Sequence, residues 1–180
     1  QAAQNEPLIY KIDAQISANI ISRLKAAIEK KSRGETPETD AGKAALEDNF
    51  KEKMLEFFKS EEQLDLLVNE LKAVLDDGIV NNSERELRKG EKLRIMDDKG
   101  RLRKKTLKTE SILTPSEAAE HIASRISQNI PPANRKIIQH EIALMLGNVL
   151  TGNLVYDEDE TRSRREKSAE SVAPIVVDVK

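Results

Sequence analysis

The 180-residue chain is 38% hydrophobic and 34% charged with a formal net charge of −2, a mixture that folds around a core and lacks the low-hydrophobicity signature of disorder. With no cysteine and two histidines it has no disulfides, thiolate metal sites or cysteine nucleophiles, although this leaves the compartment open. Aromatic residues make up 3% and tryptophan is absent, so the core must come from aliphatic side chains on helices, and a base-stacking platform for single-stranded nucleic acid is disfavoured.

The first predicted element is a short strand over Pro7–Asp13 (PLIYKID), with β-branched and aromatic residues behind a proline. From Ala14 to Lys31 the residues Ile20, Ile21, Leu24, Ala27 and Ile28 recur at helical spacing, and Gly34 is the expected stop. Arg33–Gly42 carries turn formers and reads as a loop. A second helix over Lys43–Lys59 places Leu46, Phe50, Met54, Phe57 and Phe58 on one stripe. Ser60 and Gln63 then have capping-box spacing for a third helix with Leu64, Leu67, Val68, Leu71, Val74 and Leu75 on its apolar face, and Gly78 suits a left-handed C-terminal cap.

Leu93–Asp97 and Arg101–Leu107, separated by Asp98-Lys99-Gly100, read as a β-hairpin. Thr114-Pro115-Ser116-Glu117 is a strong helix start, with a Thr cap, Pro at the first helical position and Glu reaching back. Ala119, Ile122 and Ile126 follow on its inner face; Pro131-Pro132 closes this helix and opens another, in which Ile138, Ile142, Met145 and Val149 are spaced for burial up to Gly152. Asp157 and Glu160 cap a last helix in which acidic residues precede basic ones, giving Glu158–Arg162 and Glu160–Arg164 as i, i+4 pairs. Pro174 is expected to stop it, leaving Ile175–Val179 as a strand. Ala2–Ile12 and Ala169–Val179 align without gaps, Pro7 over Pro174, as two copies of one proline-led strand unit. The expected architecture is α+β and predominantly helical, a bundle with a small β-sheet formed by the hairpin and the two terminal strands. Ile9, Leu93, Ile95, Val177 and Val179 would then share one face of that sheet.

Catalytic patterns are missing. His121 and His140 fall outside any His-x-x-x-His spacing and read as structural or surface residues; no His-Asp dipeptide, glycine-rich phosphate loop or Gly-x-Ser-x-Gly elbow occurs. The expected catalytic, metal and cofactor sets are therefore empty. Charge is uneven, however. Between Ser83 and Lys108 eleven basic residues stand against five acidic, a net of +6, which leaves the remainder of the chain at −8. Arg94, Arg101, Arg103 and Lys105 form the candidate patch for an anionic partner, against the plainer reading that these cations guard an exposed sheet edge from aggregation.

No stretch approaches the ~20 apolar residues of a membrane span. Because the chain opens on Gln1 without a basic-then-apolar signal sequence and closes inside an apolar run, it is expected to be cut from a longer protein.

Gly152-Asn153-Leu154-Val155-Tyr156-Asp157, followed by Thr161, Arg165, Ala169, Val172 and Pro174-Ile175-Val176, closely resembles the pattern Asn-Leu-x-Tyr-Asp, Thr, Arg, Ala, Val-x-Pro-Val near the end of the extracellular domain of seven-transmembrane HD phosphohydrolases. That family includes enzymes that degrade cyclic di-adenosine monophosphate. The opening Pro-Leu-Ile-Tyr-Lys-Ile-Asp and the run Leu75-Asp76-Asp77-Gly78-Ile79-Val80 are also similar. The resemblance spans nearly the whole chain and is most specific in the last thirty residues.

It implies that residues 1–180 form one extracytoplasmic, sensor-like domain on the outer side of a bacterial cell membrane, without catalytic residues of its own, joined to a cytoplasmic HD domain that holds the metals and performs the hydrolysis. Asn153, Asp157, Thr161, Arg165 and Pro174 are the family-motif residues carried over. The partners this implies are an extracytoplasmic ligand or protein, the protein's own transmembrane and HD domains, and a second copy in a homodimer, with no nucleic acid. Two rival readings stay open: a purely structural or dimerisation domain, and a soluble helical module binding protein or RNA.

Overall fold

The computed structural model describes residues 6–33 and 48–178, and within them seven helices and four short strands. β1 (Leu8–Ile12) leads into α1 (Ala14–Ser32), whose start is fixed by Asp13: its Oδ1 accepts from the Gln15 and Ile16 amides at 2.9 and 3.1 Å. α2 (Asp48–Lys59) and α3 (Glu61–Asp77) follow, separated by Ser60. After the short α4 (Asn82–Leu87) come β2 (Lys92–Met96), β3 (Leu107–Lys108) and a 3-10 turn at Thr109–Ser111. α5 (Pro115–Ser127) and α6 (Pro132–Val149) form the most extensive helix pair, and β4 (Leu154–Tyr156) and α7 (Glu158–Asp178) complete the chain.

Two apolar cores result. The larger lies inside the bundle, where the buried stripes Ile20–Leu24–Ile28 of α1, Leu67–Leu71–Val74 of α3, Ile122–Ile126 of α5 and Ile138–Ile142–Met145 of α6 meet around Phe57 and Phe58, whose rings pack edge to face at 5.1 Å. Within it Lys31 and Glu141 form a buried ion pair at 3.3 Å. The smaller core lies against the sheet and gathers Leu8, Tyr10, Ile12, Val80, Leu93, Ile95, Ile112 and Leu154.

Sheet order is β3-β2-β1-β4, with β1 parallel to β2 and antiparallel to β4. The parallel pair needs a crossover, and α1 to α4 supply it, so the helical bundle is built between the two central strands in sequence. In register, Leu8 faces Leu93 and Tyr10 faces Ile95, which puts the smaller core on one side. Ile9 points to the opposite side and is nonetheless fully buried, because α7 packs across that face.

The α+β, predominantly helical class and most helix positions are as the sequence predicts. The Thr114 capping box is complete, with the Thr114 and Glu117 side chains each bonding the other's backbone amide. Several details differ. Helix α7 continues through Pro174 to Asp178, so the expected C-terminal strand is helical as far as it is described, and residues 179–180 lie outside the described range. Both edges of β1 are already taken by β2 and β4, which leaves a terminal strand no place beside it. The Leu-Val-Tyr run of β4 occupies that position instead. The aligned segments at the two ends are thus strand in one copy and helix in the other, with residues 1–5 outside the described range. Ile9 leaves the face shared by Leu93 and Ile95.

The hairpin turn forms, since the Asp97 amide bonds Arg101 O at 2.8 Å, Met96 bridges Leu102 and the Arg103 amide bonds Ile95 O at 2.8 Å, but the return then leaves the ladder over residues 104–106 until β3. Gly78 is required for a different reason than expected: φ +98 and ψ 139 lie outside the left-handed helical region, in backbone space that belongs to glycine, and a Cβ built there would meet Leu154 Cδ1 at 2.8 Å. Ser60 caps the Gln63 amide, yet Gln63 Oε1 is buried without a partner among the described residues, so that box is half formed. On α7, Glu160–Arg164 pairs as expected while Arg162 turns to Asp159 in place of Glu158. The predicted helical residues 43–47 and most of the Arg33–Gly42 loop fall outside the described residues.

Candidate functional site

The motif Gly152–Asp157 is where the two cores are fastened together. Asn153 is fully buried, and its side chain accepts from the Ile79 amide at 2.7 Å while donating to Leu75 O at 2.8 Å and to Ser17 Oγ at 3.0 Å. Its backbone joins in, the amide donating to Ile79 O at 3.0 Å and the carbonyl accepting from Asp13 N at 2.9 Å. One residue thereby connects the end of α3 and the start of α1 through its side chain, and the end of β1 through its backbone. Gly152 is needed beside it because a Cβ would lie 2.8 Å from the Asn81 amide nitrogen, where the Gly152 amide instead donates to Asn81 Oδ1.

A second fastening joins α7 to β1. The Asp157 amide donates to Ile9 O at 2.9 Å, Asp157 Oδ1 caps the Glu160 amide at 3.0 Å, and Thr161 Oγ1 accepts from the Ile9 amide at 2.9 Å while donating to Asp157 O at 2.7 Å. Further along α7, Arg165 Nη2 reaches Glu6 O at 3.4 Å and Ser168 Oγ donates to Glu6 Oε1 at 2.7 Å. Arg165 Nε is buried with no partner among the described residues. Pro174 lies within α7, far along from these bonds in sequence. Asn153, Asp157 and Thr161 thus hydrogen-bond within the fold, to backbone groups and, for Asn153, to Ser17 Oγ as well.

On the other side of β1, Tyr10 OH donates to Glu84, whose carboxylate also meets Arg88 Nε at 3.3 Å; Arg88 in turn lies 4.4 Å over the Tyr156 ring. Burial, reinforced by the Glu84 carboxylate, pushes the Tyr10 phenol well above its ordinary range, so it remains a neutral donor. Arg85 anchors α4 to the next helix: it holds both Glu117 oxygens, at 2.7 and 2.9 Å, and Ile112 O at 3.0 Å. The Arg85 guanidinium holds the Glu117 carboxyl below the usual carboxylate range.

Between sheet and bundle opens a cleft of about 450 Å³. Val74, Asp77 and Gly78 at the end of α3 form one wall. Ser111, Ile112 and Leu113, with His121 from α5, form the second, and Ile95 with the irregular return segment carrying Arg103, Lys105 and Leu107 forms the third. Its apolar surface comes from both cores, since Val74 belongs to the bundle and Ile95 and Ile112 to the sheet.

The four cations singled out from the sequence are not one surface. Arg94 stands in register with Ile9, on the sheet face away from the cleft, and its Nε donates to Arg103 O at 2.9 Å. Arg101 is exposed and pairs with Asp97 at 3.4 Å, and Arg103 pairs with Asp76 at 3.3 Å across the rim of the cleft. Lys105 is exposed at the cleft and has no ion-pair partner among the described residues. Only Arg103 and Lys105 of the four come to the cleft. His121 joins them there, whereas His140 is exposed on α6 outside the cleft lining.

The cleft was not visible in the sequence, because its walls lie as far apart as residues 74 and 121. The β4 strand was legible in principle from the β-branched and aromatic run Leu-Val-Tyr bounded by Gly152 and Asp157. Among the described residues no group of three or more His, Cys, Asp or Glu side chains could hold a metal ion, and no helix is long and apolar enough to cross a membrane.

The family model described as 7TM-HD extracellular matches residues 1–180. No curated protein and no solved structure matches the chain.

Proposed function

This chain belongs to the 7TM-HD extracellular family, and from that premise we propose that it is a non-catalytic, extracytoplasmic sensing domain that regulates a membrane-bound HD phosphohydrolase. Residues 1–180 act as one unit on the outer face of a bacterial cell membrane, and the cytoplasmic HD domain of the same protein hydrolyses cyclic di-adenosine monophosphate. The observation that carries the sensing role is the cleft of about 450 Å³ between the two cores. Its volume falls in the range of small-molecule sites, and its lining mixes apolar side chains with a few polar and charged groups, as such sites do. A purely anchoring or dimerising domain has no need of it.

Coupling follows from where the cleft lies. A ligand there touches α3 and α5 of the bundle, β2 of the sheet and the segment between them, so its differential affinity would favour one arrangement of the two cores. The sheet carries that arrangement to α7 through Thr161 and Asp157.

The test uses the full-length protein in membranes with His121→Trp, an exposed position that fills the cleft from α5. The expected result is a changed rate of cyclic dinucleotide hydrolysis with the melting temperature of the domain unchanged. An unchanged rate in a folded variant would leave the anchoring role in its place.

A further inference from the structure

Resting on that reading, we propose that the cleft takes an amphipathic anion: a carboxylate or phosphate head on an apolar body small enough to lie between sheet and bundle. Four observations support this class. Ile95 and Leu107 on one wall and Ile112 and Leu113 on the next give the cleft an apolar lining suited to a hydrocarbon or ring. Lys105 stands at it without an ion-pair partner among the described residues, and the Arg103 guanidinium makes one ion pair among them, to Asp76, whose side chain is 78% exposed. A pair so open to water holds its guanidinium weakly and leaves it available to a second anion. The wall that carries both cations is fixed at its ends, where the Arg103 amide donates to Ile95 O at 2.8 Å and Leu107 pairs with Leu93, while residues 104–106 between them, Lys105 included, lie outside the strand ladder and can adjust to what they cover.

The surrounding field has the same sign. Ser83–Lys108, which contributes this wall, carries a net +6 in a chain whose remainder is −8. Such a local excess concentrates anions at its own surface and little elsewhere. Asp77 on the α3 wall opposes the effect, and it lies on a different wall from Lys105. The head group is accordingly placed toward Lys105, Arg103 and His121, and the body toward Ile95 and Ile112. An exposed lysine patch alone would bind inorganic phosphate as well as it binds an alkyl phosphate; the apolar side is what separates the two.

The experiment titrates the 180-residue chain with octyl phosphate, octylammonium and inorganic phosphate while following the amide resonances of Gly78, Ile95 and Leu113. Octyl phosphate should shift these amides in a saturable way, at least about tenfold more tightly than either of the others, a difference of about 1.4 kcal/mol. The double variant Arg103→Ala, Lys105→Glu should lose that preference while keeping its melting temperature. Equal binding of octylammonium would overturn the sign of the ligand, and equal binding of inorganic phosphate would overturn the apolar body. Undiminished binding to the double variant, or no shift at millimolar concentration, would overturn the site itself. If octyl phosphate fails and His121→Trp still alters hydrolysis in the full-length protein, sensing stands and only the ligand class falls.

Discussion

The helical bundle and the sheet are held together by different physics. In the bundle, stripes of Leu, Ile and Val repeat along each helix, and the buried set of α3, Leu67, Leu71, Val74 and Leu75, comes from neighbouring turns of one element. In the sheet, the four strands have five, five, two and three residues, too few to stand alone, and the partners that secure them are distant in sequence: Ile79 with Asn153, Ile9 with Thr161. The bundle resists by apolar volume, and the sheet by the completeness of its hydrogen bonding. Under the proposed sensing role, this division would let the sheet loosen without melting the bundle.

Substitutions separate the two regimes. Leu71→Ala, at a fully buried bundle position, should have the largest effect, about 2 to 5 kcal/mol in chemical denaturation, because it leaves a cavity in the bundle core. Asn153→Ala should follow at about 3 kcal/mol, since it strips the buried Ile79 amide of its acceptor and Leu75 O of a donor. Gly78→Ala should cost about 1 to 3 kcal/mol from its positive φ, with the Leu154 contact adding to it. A denaturation midpoint indistinguishable from the parent chain would refute the close approach.

Thr161→Val, which keeps the shape and removes the acceptor of the Ile9 amide, should cost about 1 to 2 kcal/mol. Smallest of all is Glu117→Gln, because the carboxylate side chain is 44% exposed and water screens its pair with Arg85; less than about 1 kcal/mol is expected. Its signature is pH dependence. A carboxyl whose folded pKa is depressed contributes stability above the ordinary glutamate value, about 4.3, and loses it as pH falls through the lower folded value. The difference in melting temperature between the parent chain and Glu117→Gln should therefore be present at neutral pH and shrink in acid; a constant difference from pH 7 to 3 would contradict the pairing.

The same division decides what the sequence revealed. Helices were legible because the periodicity that buries Ile122 and Ile126, or Ile138 and Ile142, is written within a few turns, and caps such as Ser60 and Thr114 are set by residues three places away, although the Asp13 cap went unread at the end of a predicted strand. The sheet was legible only in part. β1 and β2 stood out by their own composition, whereas the partner of β1 depended on competition between two apolar runs, Leu154–Tyr156 and Ile175–Val179, and periodicity does not decide between them. Asn153 and Thr161 were noticed as part of a resemblance, while their physical task depends on backbone groups more than seventy residues distant. The cleft lay beyond reach for the same reason, being a gap between surfaces from separate parts of the chain.

Native-state hydrogen exchange on Asn153→Ala tests most directly whether sheet and bundle are two cores joined by a polar fastening. Amides of Tyr10, Ile12 and Ile95 should lose protection by about a hundredfold, matching about 3 kcal/mol, while those of Leu71 and Ile142 keep most of theirs. Equal loss in both sets would mean a single cooperative core, and unchanged protection of the sheet would mean that Asn153 does not hold it.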